Sequence, residues 1–306
     1  MRIIFAGTPE PAVPSLRALL ASRHEVVAVV TRPDAPAGRG RRLESSPVAR
    51  VAREHGFTPL TPPTLRDAAI QRELAAVRAD AAAVVAYGGM VPRPLLERHP
   101  WVNLHFSLLP RWRGAAPVQR AILAGDRETG ACAFLLEESL DSGPLLGCLH
   151  RPIGDRETSG DVLDALATDG AALLVAALDA IADGTASPIH QPAEGVTHAP
   201  RVTTAEARVP WAAPAEVVDR HVRAFTPVPG AWGVLSTGTR LKVGPVVPSD
   251  RTPLAPGVVG VDDDVVVGTG SRPVRLTTVS PAGRPWMDAR AWARGLRTDV
   301  LFEVAG

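Results

Sequence analysis

This chain is short of several residue types, and each shortage closes off a class of function. Its 306 residues include two cysteines, one tyrosine and one lysine, and aromatic residues make up 4%. Two cysteines are too few for a disulfide-stapled scaffold, and neither Cys132 nor Cys148 has further ligands at metal-binding spacing. Both lie in apolar stretches that read as strands, so they are expected to be buried, reduced thiols. His24, His55, His99, His150, His190, His198 and His221 lack partner spacing as well, so no metal site is expected. No apolar run reaches the ~18 residues of a membrane helix. The N-terminus enters Ile3-Ile4-Phe5-Ala6-Gly7 without the basic segment and long apolar core of a secretory leader. The expectation is a cytoplasmic monomer with no membrane partner. The 33 basic side chains are offset by 32 acidic ones, so composition makes no case for nucleic acid. Gly7-Thr8-Pro9-Glu10 lacks the two further glycines of a dinucleotide fingerprint. That leaves a nicotinamide dehydrogenase as a weak alternative, with Asp34 its one candidate ribose-binding acid.

What is present is a two-domain pattern. Hydrophobic content of 45% and charged content of 21% are ordinary for a globular protein, and the length suffices for two cores. Ile3–Ala6, Glu25–Thr31 and Asp80–Tyr87 read as strands. Ala12–Leu20, Pro47–His55 and Ala69–Ala79 read as helices between them. This alternation predicts an α/β fold with an open, mostly parallel, Rossmann-like sheet, whose ligands gather beyond the strands' carboxyl ends. Leu145–Ile153 follows as a strand and Ser159–Asp183 as a long helix. From Gly184 to Arg208 the chain is rich in Pro, Gly, Thr and His without a period. Beyond it, one helix (Ala215–Ala224) precedes five short strands: Gly233–Leu235, Thr239–Val243, Val258–Val261, Val265–Gly268 and Val274–Val279. With a helix near Asp288–Gly295, these predict a small β-barrel. The domain reading is 1–188 catalytic, 189–207 linker and 208–306 C-terminal.

One run stands out: WVNLHFSLLPRWRGAAPVQRAILA, Trp101 to Ala124. Asn103 and His105 end a strand two residues apart, which points both side chains to one face. An amide and an imidazole so placed can polarise a carbonyl oxygen and handle a proton. Thirty-eight residues after Asn103, Asp141 sits on the turn Leu140-Asp141-Ser142-Gly143-Pro144, from which a carboxylate can fold back onto His105. Taken singly, the bland alternatives are a turn-capping Asn, a satisfied core His and a helix-capping Asp. A second cluster, Arg39, Arg41 and Arg42, lies on a glycine-rich loop. Read from charge alone, it is a solvated basic loop.

N-x-H-x-S-L-L-P followed at this distance by L-D-S-G resembles the folate-dependent formyltransferase family. Phe5-Ala6-Gly7-Thr8-Pro9-Glu10, Arg32–Leu43, Val85-Ala86-Tyr87-Gly88, Arg223-Ala224-Phe225 and Pro229-Gly230-Ala231-Trp232 resemble it in the same order along almost the whole chain. The resemblance implies Asn103, His105 and Asp141 as catalytic residues. It implies folate contacts at Tyr87, Gly88, Gly89, Met90, Ser107, Leu108, Leu109 and Pro110. It also implies tRNA contacts at Arg39, Arg41, Arg42, Arg111 and Arg113, and an oligonucleotide-binding-type C-terminal barrel. The implied activity moves a formyl group from 10-formyltetrahydrofolate to methionine on initiator tRNA, which supports translation initiation. Gly89 and Met90 depart from the bulkier pair expected there. A sugar-nucleotide formyltransferase or a formyl-folate hydrolase would share the three catalytic residues. The Pro36–Leu43 loop and Pro110–Gln119 favour the tRNA enzyme. A non-catalytic tRNA-binding protein keeping the fold is a further rival.

Overall fold

The computed structural model describes residues 1–37, 42–296 and 300–304, so Arg39 and Arg41 of the basic loop lie outside the described residues. Two compact units interleave along the chain. The first comprises Met1–Pro117, Glu128–Pro152 and Leu163–Ala199; the second comprises Val118–Arg127, Ile153–Val162 and Pro200–Gly306.

The first unit carries β1 (Arg2–Gly7), β2 (Glu25–Val30), a small hairpin of β3 (Ala35–Ala37) and β4 (Arg42–Glu44), β5 (Ala81–Val85), β6 (Trp101–His105), β7 (Arg113–Gly114), β8 (Glu128–Leu135), β9 (Leu145–Pro152) and β10 (His198–Ala199). Its main sheet runs β2-β1-β5-β6-β8-β9. The β2–β1, β1–β5 and β5–β6 pairs are parallel, whereas β8 and β9 join antiparallel. Helices α1 (Val13–Leu20), α2 (Pro47–Glu54), α3 (Ala68–Ala76) and α4 (Arg93–Leu96) connect the strands, and the side chains of Ser46 and Asp67 cap α2 and α3. The strands are short and apolar, with β5 buried at every position, as a sheet covered on both faces requires. The open, mostly parallel sheet matches the reading from sequence.

After α5 (Pro117–Ala124) comes α6 (Ser159–Ala182). Leu104 projects from β6 towards α6, where a side chain at Gly170 would come within 2.9 Å of the leucine Cδ2. The glycine lets helix and strand approach, and the pleat sends Asn103 and His105 to the opposite face. By length and composition α6 is apolar enough to cross a membrane, against the expectation that no run qualifies. Its aspartates break up any single apolar run but leave the average high. Buried Leu166, Ala167, Ala171, Leu174 and Leu178 recur at helical spacing, as on a helix that covers a sheet.

The cysteines require a second correction. Cys132 on β8 faces Cys148 on β9 in antiparallel register, and the two form a disulfide. Cys132 is fully buried, while Cys148 lies on the exposed side of an edge strand. The pairing depends on the β8–β9 register, which their spacing of 16 residues does not reveal.

In the second unit, α7 (Ala215–Phe225) precedes β11 (Trp232–Val234), β12 (Arg240–Val243), β13 (Val246–Pro248), β14 (Val259–Val261), β15 (Val265–Val267), β16 (Val274–Leu276), β17 (Thr278–Pro281) and β18 (Met287–Asp288), then α8 (Ala289–Ala293). Among the described residues eight strands replace the five expected. The run Val274–Val279 divides between two four-stranded antiparallel sheets, β11-β12-β17-β18 and β13-β16-β15-β14. The chain turns from one sheet to the other between β12 and β13 and again between β16 and β17, the corners of a small barrel.

Candidate active site

Because β1, β5 and β6 are parallel, their carboxyl ends share one edge, which carries Gly7-Thr8, Ala86-Tyr87-Gly88 and Asn103–His105. Three described non-glycine residues have φ in the left-handed region, and all three lie in this unit: Ala86 (+46°) after β5, Trp112 (+62°) and Asp141 (+49°). Such conformations cost about 1–3 kcal/mol each and persist where surrounding bonds over-determine them.

Around His105 those bonds are visible. The imidazole is 6% exposed and its Nε2 lies 2.8 Å from the Trp112 carbonyl oxygen. A carbonyl can only accept, so Nε2 carries the proton of that bond. Nδ1 then faces the Asp141 carboxylate, 3.7 Å from Oδ2. The same Oδ2 accepts the Gly114 backbone N–H at 2.8 Å. Residues 112 and 114 of one short strap thus hold the two catalytic candidates by main-chain groups. Arg113, between them, bonds through its side chain to Gln191. Asn103 is half-buried beside His105, and among the described residues its amide has no hydrogen-bond partner, which leaves it available as a donor.

The strap is held in turn by residues 191–199. Trp112 N–H donates to Thr197 Oγ1 at 2.9 Å, Arg113 N–H donates to the Thr197 carbonyl at 2.9 Å, and β7 pairs in parallel with β10. Gly114 has φ +127°, and a Cβ there would lie 2.6 Å from the Ala199 carbonyl oxygen, so only glycine fits this approach. The Gln191 side chain joins Arg113 to the backbone of the Asp141 turn. Nothing in the sequence flagged Gln191 or Thr197, which are two among several polar residues in a stretch without a period.

The residues assigned to folate divide into two groups. Gly88 and Gly89 are exposed on the loop after β5, with Met90 at 52% exposure, and Leu140 at 53% lies next to Asp141. Arg93, which opens α4 after the first loop, pairs with Glu138 of the second at 3.5 Å. The others turn inward. Tyr87 is 2% exposed, packs in the core with Ile4 and Trp101, and keeps a buried hydroxyl without a partner. Burial pushes its phenol pKa up. A Cβ at Gly89 would meet that ring at 2.8 Å, so the glycine serves Tyr87. Ser107 Oγ donates to the Arg111 carbonyl at 2.7 Å and Leu109 packs on Cys132 and Phe134. The Leu109–Pro110 bond is cis, and Leu108 lies against Gly130.

Of the residues assigned to tRNA, Arg111 is exposed and its guanidinium stacks 4.9 Å from the Trp112 ring centre. Arg113 is committed to Gln191 through two bonds of 3.2 and 2.6 Å. Arg42 belongs to β4. No group of three or more His, Cys, Asp or Glu that could hold a metal occurs among the described residues.

Residues 1–178 match the domain family described as Formyl transferase, and residues 201–297 match Formyl transferase, C-terminal domain. The methionyl-tRNA formyltransferase of Thermobifida fusca is 56% identical over 301 residues, 97% of each chain. That of Mycobacterium sp. (strain KMS) is 54% identical over 304 residues, 98% of each. Among solved structures, Aquifex aeolicus HypX in complex with tetrahydrofolic acid has a TM-score of 0.65 at 19% identity, covering 96% of this chain and 47% of HypX. The Helicobacter canadensis N-formyltransferase, in complex with folinic acid and dTDP-3-aminofucose, has a TM-score of 0.68 at 15% identity, covering 90% of this chain and 97% of its own. Likeness at these identities establishes the fold and leaves the acceptor open.

Proposed function

Because this chain belongs to the formyl transferase family, we propose that it moves the formyl group of 10-formyltetrahydrofolate to the α-amino group of methionine on initiator tRNA, in the cytoplasm. The observation that carries the acceptor is 54–56% identity, over essentially full length on both sides, to relatives named for methionyl-tRNA. The sugar-directed neighbours share the fold at a much lower 14–18% identity.

The site supports this chemistry. As the methionyl nitrogen bonds to the formyl carbon, charge grows on the formyl oxygen, and the free Asn103 amide donates to it. Asp141 takes the proton leaving the nitrogen, directly or through water. His105, its Nε2 held by the Trp112 carbonyl, offers Nδ1 to that carboxylate, so the pair holds the proton and returns it to the folate nitrogen as the old carbon–nitrogen bond breaks. With Nε2 already bonded, Asn103 is the donor for the formyl oxygen and His105 the proton holder. The exposed apolar side chains of Met90 and Leu140 suit the flat rings of a folate, and the exposed backbone of Gly88–Met90 suits a pterin edge. Arg39, Arg41, Arg42 and Arg111 would meet the acceptor stem's phosphates.

The test is a product assay with 10-formyltetrahydrofolate and charged initiator tRNA, free methionine or an amino-sugar nucleotide. Formylation of the tRNA alone is expected. Transfer to the sugar alone, or folate hydrolysis without an acceptor, would move the chain to a sister activity on the same three residues.

A further inference from the structure

Asp141 holds a left-handed backbone, and the 3.7 Å between its carboxylate and His105 decides whether the pair can share a proton. We propose that Gln191 is a positioning residue for Asp141, acting with Arg113 behind it; the inference rests on the catalytic role proposed for Asp141.

The Gln191 amide is fully used. Its Nε2 donates to the backbone carbonyls of Asp141 and Gly143, both at 2.9 Å, clasping the turn from either side of Ser142. Its Oε1 accepts from Arg113 Nε at 3.2 Å and Nη2 at 2.6 Å. Two donors and two lone pairs are the whole hydrogen-bonding capacity of a glutamine amide, so its orientation is unambiguous. The turn has little freedom to yield on its other side, because a side chain at Gly143 would run into the Leu135 carbonyl.

These bonds close a ring. Arg113 lies between Trp112, whose carbonyl holds His105, and Gly114, whose amide holds the Asp141 carboxylate. Its side chain returns through Gln191 to the Asp141 backbone. The segment that supplies Gln191 also supplies Thr197, whose hydroxyl and carbonyl accept the Trp112 and Arg113 N–H groups. The histidine and the aspartate are therefore referenced to one frame, residues 191–199, through neutral groups that place no second charge in contact with the carboxylate. The positive charge of Arg113 sits one residue further out and polarises the glutamine amide towards the carbonyls it clasps.

The test compares Gln191→Ala, Gln191→Glu and Arg113→Ala, singly and as a double Gln191→Ala/Arg113→Ala variant, with Asp141→Asn as control. The readouts are kcat against pH, KM for 10-formyltetrahydrofolate and for charged initiator tRNA, and thermal unfolding. Gln191→Ala is expected to lower kcat about 10- to 100-fold and displace the limbs of the kcat–pH profile, with both KM values within about threefold. Gln191→Glu keeps the size and the Arg113 pairing but sets an acceptor against two carbonyls. It should lose kcat similarly, and it carries the test should the alanine variant fail to fold. Arg113→Ala should add little to Gln191→Ala, since one chain of bonds is already cut. Wild-type kcat and pH profile in the Gln191 variants, with at most a lower melting temperature, would reduce the residue to a structural one and overturn the inference. A raised KM for tRNA in Arg113→Ala, additive with Gln191→Ala, would remove Arg113 from the frame. Full activity in Asp141→Asn would instead bring down the reading of Asp141 itself.

Discussion

His221 on α7 should make the second unit acid-sensitive. Its ring lies 4.6 Å from that of Phe225, and its Nε2 is sealed from solvent without a hydrogen-bond partner. Burial is the main cause that lowers its pKa from 6.5 to about 4, against smaller opposing effects from the Ala207 and Arg208 backbone and from Glu206. In the folded chain the imidazole is neutral over a range in which the unfolded chain already binds a proton. Stability is therefore fully present above the unfolded pKa of 6.5 and falls as the pH drops, levelling off below about 4. Linkage over that interval costs about 2 kcal/mol by pH 5 and about 3 kcal/mol by pH 4. The perturbation is His221→Leu, which keeps the apolar packing and removes the titration. The assay is urea unfolding of the full chain followed by tryptophan fluorescence at pH 8, 5 and 4. Trp211, fully buried against Phe302, reports this unit. The wild type should lose about 2–3 kcal/mol more than the variant between pH 8 and 4. Equal acid losses in the two proteins would refute the reasoning, because every other titrating group is common to both.

Replacing Asn103 with Ala should lower kcat by about 10²–10³, the usual cost of one donor to a developing oxyanion, and leave folate affinity within a few-fold. Near-normal turnover would remove the amide from the mechanism. Gly114→Ala should reduce activity at least about tenfold and destabilise the chain by about 1–3 kcal/mol, since its φ and the Ala199 carbonyl both exclude a Cβ. Unchanged activity and melting temperature would mean that the strap does not need this approach. Replacing Arg39, Arg41 and Arg42 together with Ala should weaken binding of charged tRNA and flatten its salt dependence. An unaltered salt slope would return the loop to an ordinary solvated surface.

The fold's first half was legible because its strands are short, apolar and bounded by turns. Each of β1, β2 and β5 falls within two residues of its expected ends. The barrel was harder to read. Val274–Val279 is one continuous run of strand-forming residues, and only the corner at Thr277 divides it between two sheets. Strand assignment follows local composition, but the choice of sheet follows from which neighbours offer free main-chain groups.

The site divides in the same way. The alternation that places Asn103 and His105 on one face is a property of any strand, and Asp141 on a Gly/Pro turn is readable as a carboxylate free to fold back. Local sequence thus determined the candidate groups proposed for the chemistry, the strand end that presents them and the order of the elements. The partners of those groups were decided by tertiary structure alone. Cys132 meets Cys148 because of the β8–β9 register. Tyr87 turns into the core because the chain bends sharply at Ala86. Gln191 reaches Asp141 across 50 residues because β10 lies beside β7. Side-chain type and periodicity are encoded within a few residues, whereas register and long-range hydrogen bonds depend on which distant main-chain groups remain unpaired once the sheet has formed.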